Sequence, residues 1–275
     1  LFKNELSIPI HVNQGYEIPK WVNEKTLIIA CSYSGNTEET LISCEASFKK
    51  TSNIIGLSKG GKLYKLLESN GIKNFVKMPD GLQPRAALGF SMSLMLLLLN
   101  KLDIINDSYI KDLKNSIHPI RDITKHYSLE DNYNLAFLTA KKIYDKNPII
   151  YAQEGIFNII GYRFKCQLVE NSKILAFNNE IPEMNHNEIE AYTHKVNNNY
   201  IVIWINDSSY HKRNQKRVQI VKEIFKNNIS NQISLEIKSR DDNNVILKYL
   251  IYLHLVDWIS YHAAILNKID PSIIP

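Results

Sequence analysis

Apolar runs and amphipathic stretches alternate along most of this chain. Thr26–Ala30 is a short apolar run and predicts a buried strand. Thr37–Lys50 reads as a helix, Asn53–Leu57 as a strand, and Lys62–Asn70 as a helix closed by Gly71. Asn74–Val76 predicts a short strand and Arg85–Leu99 a long, mostly apolar helix. Residues 101–133 are polar, with helical patterns at Ile104–Leu113 and His118–Ser128, and read as a crossing segment. The alternation then restarts. Strand Ile149–Ala152 follows Asn147-Pro148, helix Phe157–Val169 comes next, and Lys173–Phe177 predicts a strand before a loop at Asn178–Asn185. Tyr200–Ile205 reads as a strand, Gln215–Asn227 as a helix, Ser234–Ile237 as a strand and Asn244–Leu266 as a long closing helix. Strands spaced by helices imply parallel sheets covered on both faces, and here two similar α/β halves.

Composition narrows the class. With 275 residues, 44% apolar and 22% charged, the chain can bury a core and does not read as disordered. The net charge of +5 suits small anionic substrates but is too dilute to argue for nucleic acid. The densest basic cluster, Lys212-Arg213 with Lys216-Arg217, reads as a solvated helix face. Cys31, Cys44 and Cys166 show neither paired nor metal-type spacing, which points to structural thiols in a reducing cytoplasm. The apolar run Leu94–Leu99 is far shorter than the roughly 20 residues a bilayer requires and reads as a buried helix. No membrane association and no signal peptide are expected.

Four places can carry chemistry. The turn Ser32-Tyr33-Ser34-Gly35-Asn36-Thr37 lies between a strand and a helix, at the carboxyl end of a parallel strand, where such folds bind ligands. Helix N-terminal N–H groups and hydroxyls there suit phosphate. Equally, Thr37 or Asn36 can simply cap the helix, with Glu38 and Glu39 offsetting its dipole. Arg85 opens an apolar helix and needs an anion, either Asp80 or a ligand. Glu170 suits a general base, or an exposed pair with Lys173. His186 suits a proton shuttle, or a residue in the capping region of a helix starting near Asn185. On such a helix His186, Glu190 and His194 would share one face, but the pattern lacks a His-Glu-x-x-His core and no metal is expected.

Taken in order, these segments resemble the sugar isomerase (SIS) fold, and within it the bifunctional phosphoglucose/phosphomannose isomerases. The resemblance is carried by Ser32–Thr40, Pro84-Arg85-Ala86-Ala87, Tyr162–Lys165, Gln167–Lys173 and Pro182–Ile189, with Asp257-Trp258 and Asp270-Pro271-Ser272 near the end. It implies two SIS-type doubly wound parallel-sheet domains, α-β-α sandwiches at residues 1–125 and 126–275, with a long C-terminal helix. It implies a homodimer whose site lies near the subunit boundary, with the histidine supplied by the partner. Ser32, Ser34 and Thr37 match the phosphate-loop positions and Arg85 the arginine beside C1 and C2. Glu170 matches the catalytic carboxylate and His186 the ring-opening histidine. The implied substrate is a hexose 6-phosphate, with no cofactor. A non-catalytic phosphosugar-sensing SIS module, or an SIS isomerase of another sugar phosphate, are the alternatives.

The residue types suit that chemistry. Moving a proton between C2 and C1 needs one carboxylate base, such as Glu170. The enediolate charge needs a fixed cation, such as Arg85, and ring opening needs a group working near neutral pH, such as His186. Members of the family usually carry a Gly-Gly-Ser loop ahead of the helix that Leu1-Phe2-Lys3 resembles, and a substrate-contacting lysine beyond Asp-Pro-Ser. Both ends therefore read as incomplete, and Lys268 is not that lysine's counterpart.

Overall fold

Ile28-Ile29-Ala30-Cys31 forms the first strand, β1 (Ile28–Cys31), where alternate apolar side chains meet helices. The computed structural model describes residues 6–229, 231–237 and 244–273, so the readings at Leu1-Phe2-Lys3 and at Pro275 lie outside it. After β1 come α1 (Glu38–Ser47), β2 (Ile54–Ser58), α2 (Gly61–Ser69), β3 (Phe75–Lys77), a 3-10 turn at Pro84–Ala87 and α3 (Leu88–Lys101). The strands are parallel in the order β1-β2-β3, with Ile28 beside Ile54 and Gly56 beside Phe75. Ala30 and Ile54 pack with Cys44 of α1 and with Leu63 and Leu67 of α2.

The second series runs α4 (Asp107–Asn115), α5 (Ile117–Tyr127), α6 (Leu135–Ile143), β4 (Asn147–Gln153), α7 (Ile156–Ser172), β5 (Phe177–Ile181), β6 (Tyr200–Asn206), α8 (Lys212–Lys226), β7 (Gln232–Glu236) and α9 (Val245–Leu266). Its sheet is parallel, in the order β5-β4-β6-β7. Successive side chains of the two central strands face opposite layers. Ile150, Ala152, Ile201 and Ile203 pack with residues of α6, α7 and α9. Tyr151, Val202 and Trp204 face Val218, Val221 and Phe225 of α8. Each large side chain buried this way contributes about 1.5–3 kcal/mol. The chain divides into two compact units, Leu1–Ile110 and Lys111–Pro275. Among the described residues no helix is long and apolar enough to cross a membrane.

Four sequence expectations are corrected. The strand expected at Lys173–Phe177 starts at Phe177 and continues to Ile181, through Asn178-Asn179-Glu180, which read as loop. Those polar side chains find partners on β4 and α7: Asn178 Nδ2 donates to the Ile150 carbonyl at 3.2 Å, and Glu180 accepts from Asn158 Nδ2 at 2.7 Å. The helix expected from Asn185 is instead two 3-10 turns, Glu183–His186 and Glu188–Thr193, broken at Asn187, where φ is −143°. Of α3, expected to be a buried helix over Leu94–Leu99, only Leu96 and Leu99 are buried. Helix α6 was not anticipated; its signal was Asn134, whose side chain caps it by accepting from the N–H groups of Ala136 and Phe137.

Candidate functional site

In the first unit, three loops gather at the carboxyl ends of β1, β2 and β3. The Ser32–Thr37 turn follows β1. Gly35 has φ +68°, and its N–H donates to Ser32 Oγ at 3.1 Å. The buried Ser32 hydroxyl also meets Thr37 Oγ1 at 2.8 Å, and Ser34 Oγ accepts from the Asn36 N–H at 3.1 Å. Thr37 takes the N-cap position of α1, yet among the described residues its side chain makes no capping bond. The capping role foreseen for its hydroxyl is therefore replaced by the bond to Ser32. Glu38 is exposed and accepts from the Tyr16 hydroxyl at 3.4 Å.

The other two loops brace this turn. Lys59 N–H donates to the Tyr33 carbonyl at 3.0 Å, and Lys62 N–H to Asn36 Oδ1 at 3.0 Å. The Tyr33 hydroxyl donates to the Pro79 carbonyl and accepts from the Leu82 N–H, each at 3.2 Å. Asp80, one of two anions considered for Arg85, pairs with Lys59 at 2.8 Å. That hydrogen bond, with a second from the Gly81 N–H, holds the Asp80 carboxyl below its ordinary range. Half-buried Arg85 sits in the 3-10 turn after this loop.

In the second unit, Glu170 is exposed near the carboxyl end of α7, on a shallow pocket of about 280 Å³ lined by Lys165, Cys166, Val169, Leu175 and Ala176. The ammonium of Lys173, its foreseen ion-pair partner, donates to the Glu170 backbone carbonyl at 2.6 Å and to the Ile273 carbonyl at 2.8 Å. Helix α7 is clamped to α9. Arg163 binds both oxygens of Asp257, at 2.9 and 2.7 Å, and Gln167 Nε2 donates to the same carboxylate at 2.8 Å. Ser172 Oγ donates to the Ser260 carbonyl at 2.6 Å. The bidentate pair fixes orientation as well as distance. Sequence reasoning quoted Arg163, Gln167 and Asp257 within motifs but gave them no role, since their meeting depends on how the two helices pack.

His186 is exposed at the end of the first of the two 3-10 turns that follow β5. The shared face foreseen for His186, Glu190 and His194 does not exist, because the chain breaks at Asn187 and His194 is extended. Among the described residues no group of three or more candidate ligands could hold a metal ion. The Cys44 thiol is pushed up to about 11 by burial, so it is a packing group rather than a nucleophile.

Parallel sheets with a hydroxyl-rich turn at a strand's carboxyl end define the class: an α/β protein of the SIS type. The solved C-terminal domain of glucosamine-fructose-6-phosphate aminotransferase from Francisella tularensis shares this fold, with a TM-score of 0.66 at 18% identity over 93% of this chain and 74% of that one. Residues 132–275 match the bacterial phospho-glucose isomerase C-terminal SIS domain. The bifunctional phosphoglucose/phosphomannose isomerase of Caldicellulosiruptor bescii is 35% identical over 274 residues, 98% of this chain and 79% of that protein. The D-glucosamine-6-phosphate 4-epimerase of Sulfolobus acidocaldarius is 33% identical over 189 residues, 67% of this chain and 56% of that protein. The chain belongs to the bifunctional phosphoglucose/phosphomannose isomerase family.

Proposed function

We propose that this protein is an aldose–ketose isomerase that interconverts glucose 6-phosphate, fructose 6-phosphate and mannose 6-phosphate. The observation that carries this reading is the 35% identity to a bifunctional isomerase over 98% of the chain. The Ser32–Thr37 turn supports it. Ser32, Ser34 and Thr37 are gathered at the start of α1, with Ser32 bonded to Thr37, and this hydroxyl-rich helix start receives the 6-phosphate. Arg85, in the same unit, supplies the cation for the enediolate. Glu170 takes the C2 proton and returns it to C1, while O1 gains a proton and O2 loses one. The exchange balances with no electron acceptor. His186 opens the sugar ring beforehand. Because glucose and mannose 6-phosphates give the same cis-enediol, one carboxylate serves both epimers.

We place the site in a homodimer, near the boundary between subunits, with His186 reaching the partner's site. Exposed Ile159, Tyr162 and Val169 form an apolar stripe along α7, and exposure of His186 within one subunit fits the same arrangement. We assign the family's two SIS domains to residues 1–125 and 126–275, whereas the compact units divide at Ile110 and Lys111, ahead of α5. A cytoplasmic location suits the three free thiols.

The test is a coupled assay from fructose 6-phosphate that detects glucose and mannose 6-phosphates separately, with glucosamine 6-phosphate offered in parallel. Both hexose products are expected. Glucose 6-phosphate alone removes the mannose activity, and turnover of only the amino sugar favours the epimerase-like reading that the second relative suggests. Glu170→Gln is expected to cut C2 proton exchange by about 10²–10⁴-fold while substrate still binds; near-normal exchange removes Glu170 from the base role.

A further inference from the structure

Glu188 lies two residues beyond His186 and takes no part in the chemistry above. Both of its carboxylate oxygens are engaged. The Tyr151 phenol donates to Oε2 at 2.7 Å, and the Asn179 amide donates to Oε1 at 2.7 Å. Tyr151 is buried on β4 and Asn179 stands on β5. One carboxylate therefore ties the segment after His186 to two neighbouring strands. Tyr151 is itself braced by the Tyr192 hydroxyl at 3.0 Å, and the Glu188 N–H donates to Asn187 Oδ1 at 2.6 Å.

Both neighbours of the carboxylate donate to it. Asn179 cannot turn its amide over, because its Oδ1 already accepts from the Glu180 N–H at 2.7 Å. Its Nδ2 must keep pointing at Glu188, and a tyrosine donor faces the other oxygen. A carboxylate accepts from both donors as they stand; a carboxamide has one acceptor and needs the Tyr151 hydroxyl to turn toward Tyr192, which rearranges the anchor. On the other flank of His186, Met184 is fully buried in the cluster that holds Tyr151 and Trp204. The exposed imidazole is thus carried on a short span fixed at both ends.

We infer that Glu188 is a positioning residue for His186, holding the 3-10 segment so that the imidazole meets the sugar ring in register. This rests on the isomerase reading and on the ring-opening role of His186. In Glu188→Gln, kcat for hexose 6-phosphates is expected to fall 10- to 100-fold, the size of effect that misplacement of about an ångström produces. KM stays within about twofold, since the phosphate-binding turn is untouched. Affinity for an open-chain aldonate phosphate, arabinonate 5-phosphate, also stays unchanged because it needs no ring opening. The double variant Glu188→Gln/His186→Ala is expected to be no slower than His186→Ala alone. Hydrogen exchange of residues 183–193 should accelerate in Glu188→Gln. Glu188→Asp, still acceptor-only, should lose less and serves if the glutamine variant does not fold. Losses that multiply in the double variant, or unchanged exchange at 183–193, overturn the inference. A wild-type protein that turns over no hexose phosphate overturns the isomerase reading instead, and the exchange measurement still judges the anchor.

Discussion

A Cβ at Gly35 would lie 1.9 Å from the Gly60 carbonyl oxygen and 2.9 Å from Ser58 Oγ, and the backbone there already has φ +68°. Any side chain must push the first loop away from the second, and both loops hold the candidate phosphate site. Gly35→Ala is therefore expected to cost about 1–3 kcal/mol of stability and to raise KM for hexose 6-phosphates at least tenfold with a smaller change in kcat. Thermal unfolding and steady-state kinetics on the same sample check both parts; an unchanged KM detaches the turn from phosphate binding. At this scale the sequence showed which residues have useful chemistry but not how they pair. Ser32 and Thr37 were legible as hydroxyls near a helix start, while their mutual bond depends on the turn closing. Lys59 gave no local sign that it would take Asp80, and Glu188 reads as an ordinary surface glutamate until β4 and β5 bring Tyr151 and Asn179 to it.

Elements with strong local patterns were legible to within a few residues, as β1, β2, β6 and α9 show. Strand β5 was not, because its polar residues are satisfied by partners distant in sequence, Ile150, Asn158 and Glu188. The α7–α9 clamp is the same kind of feature, and one of its neighbours gives it a pH signature. His254 on α9 accepts from the Trp258 indole N–H at 3.1 Å through Nε2, and Thr124 Oγ1 lies 2.7 Å from the same nitrogen. The indole can only donate, so in this contact Nε2 is the acceptor. Burial lowers the His254 pKa from its ordinary 6.5, outweighing the opposing pull of Asp257. The unfolded chain then binds the proton more readily than the folded one. The stabilisation is complete above pH 6.5 and is lost as pH falls from there through the lowered folded value. Melting temperature should decline over that window, and His254→Gln should decline less; parallel pH profiles for the two proteins count against this assignment.

Each of the two units builds a parallel sheet, of three strands in the order β1-β2-β3 and of four in the order β5-β4-β6-β7. The α/β class, with strands spaced by helices and paired in parallel, was legible in the chain. A homodimer is what the family resemblance implies; no local pattern in the chain points to it, because subunit contacts leave no periodicity. If His186 serves the partner's site, mixing inactive Glu170→Gln and His186→Ala proteins after dissociation should restore about a quarter of wild-type activity, through mixed dimers with one intact site each. Absence of recovery, with mixed dimers shown by mass, places both residues in one subunit's site. The polar strand β5 has a consequence of its own at this scale. It is an edge of the four-stranded sheet, where exposed backbone groups invite strands from other molecules. Phe177 is its exposed apolar side chain, and Glu180 sets a charge three residues further along the same strand. A charge within an edge strand is one of the devices that make it a poor template for a strand of another molecule, so the carboxylate that reads as out of place in a strand also discourages edge-to-edge pairing.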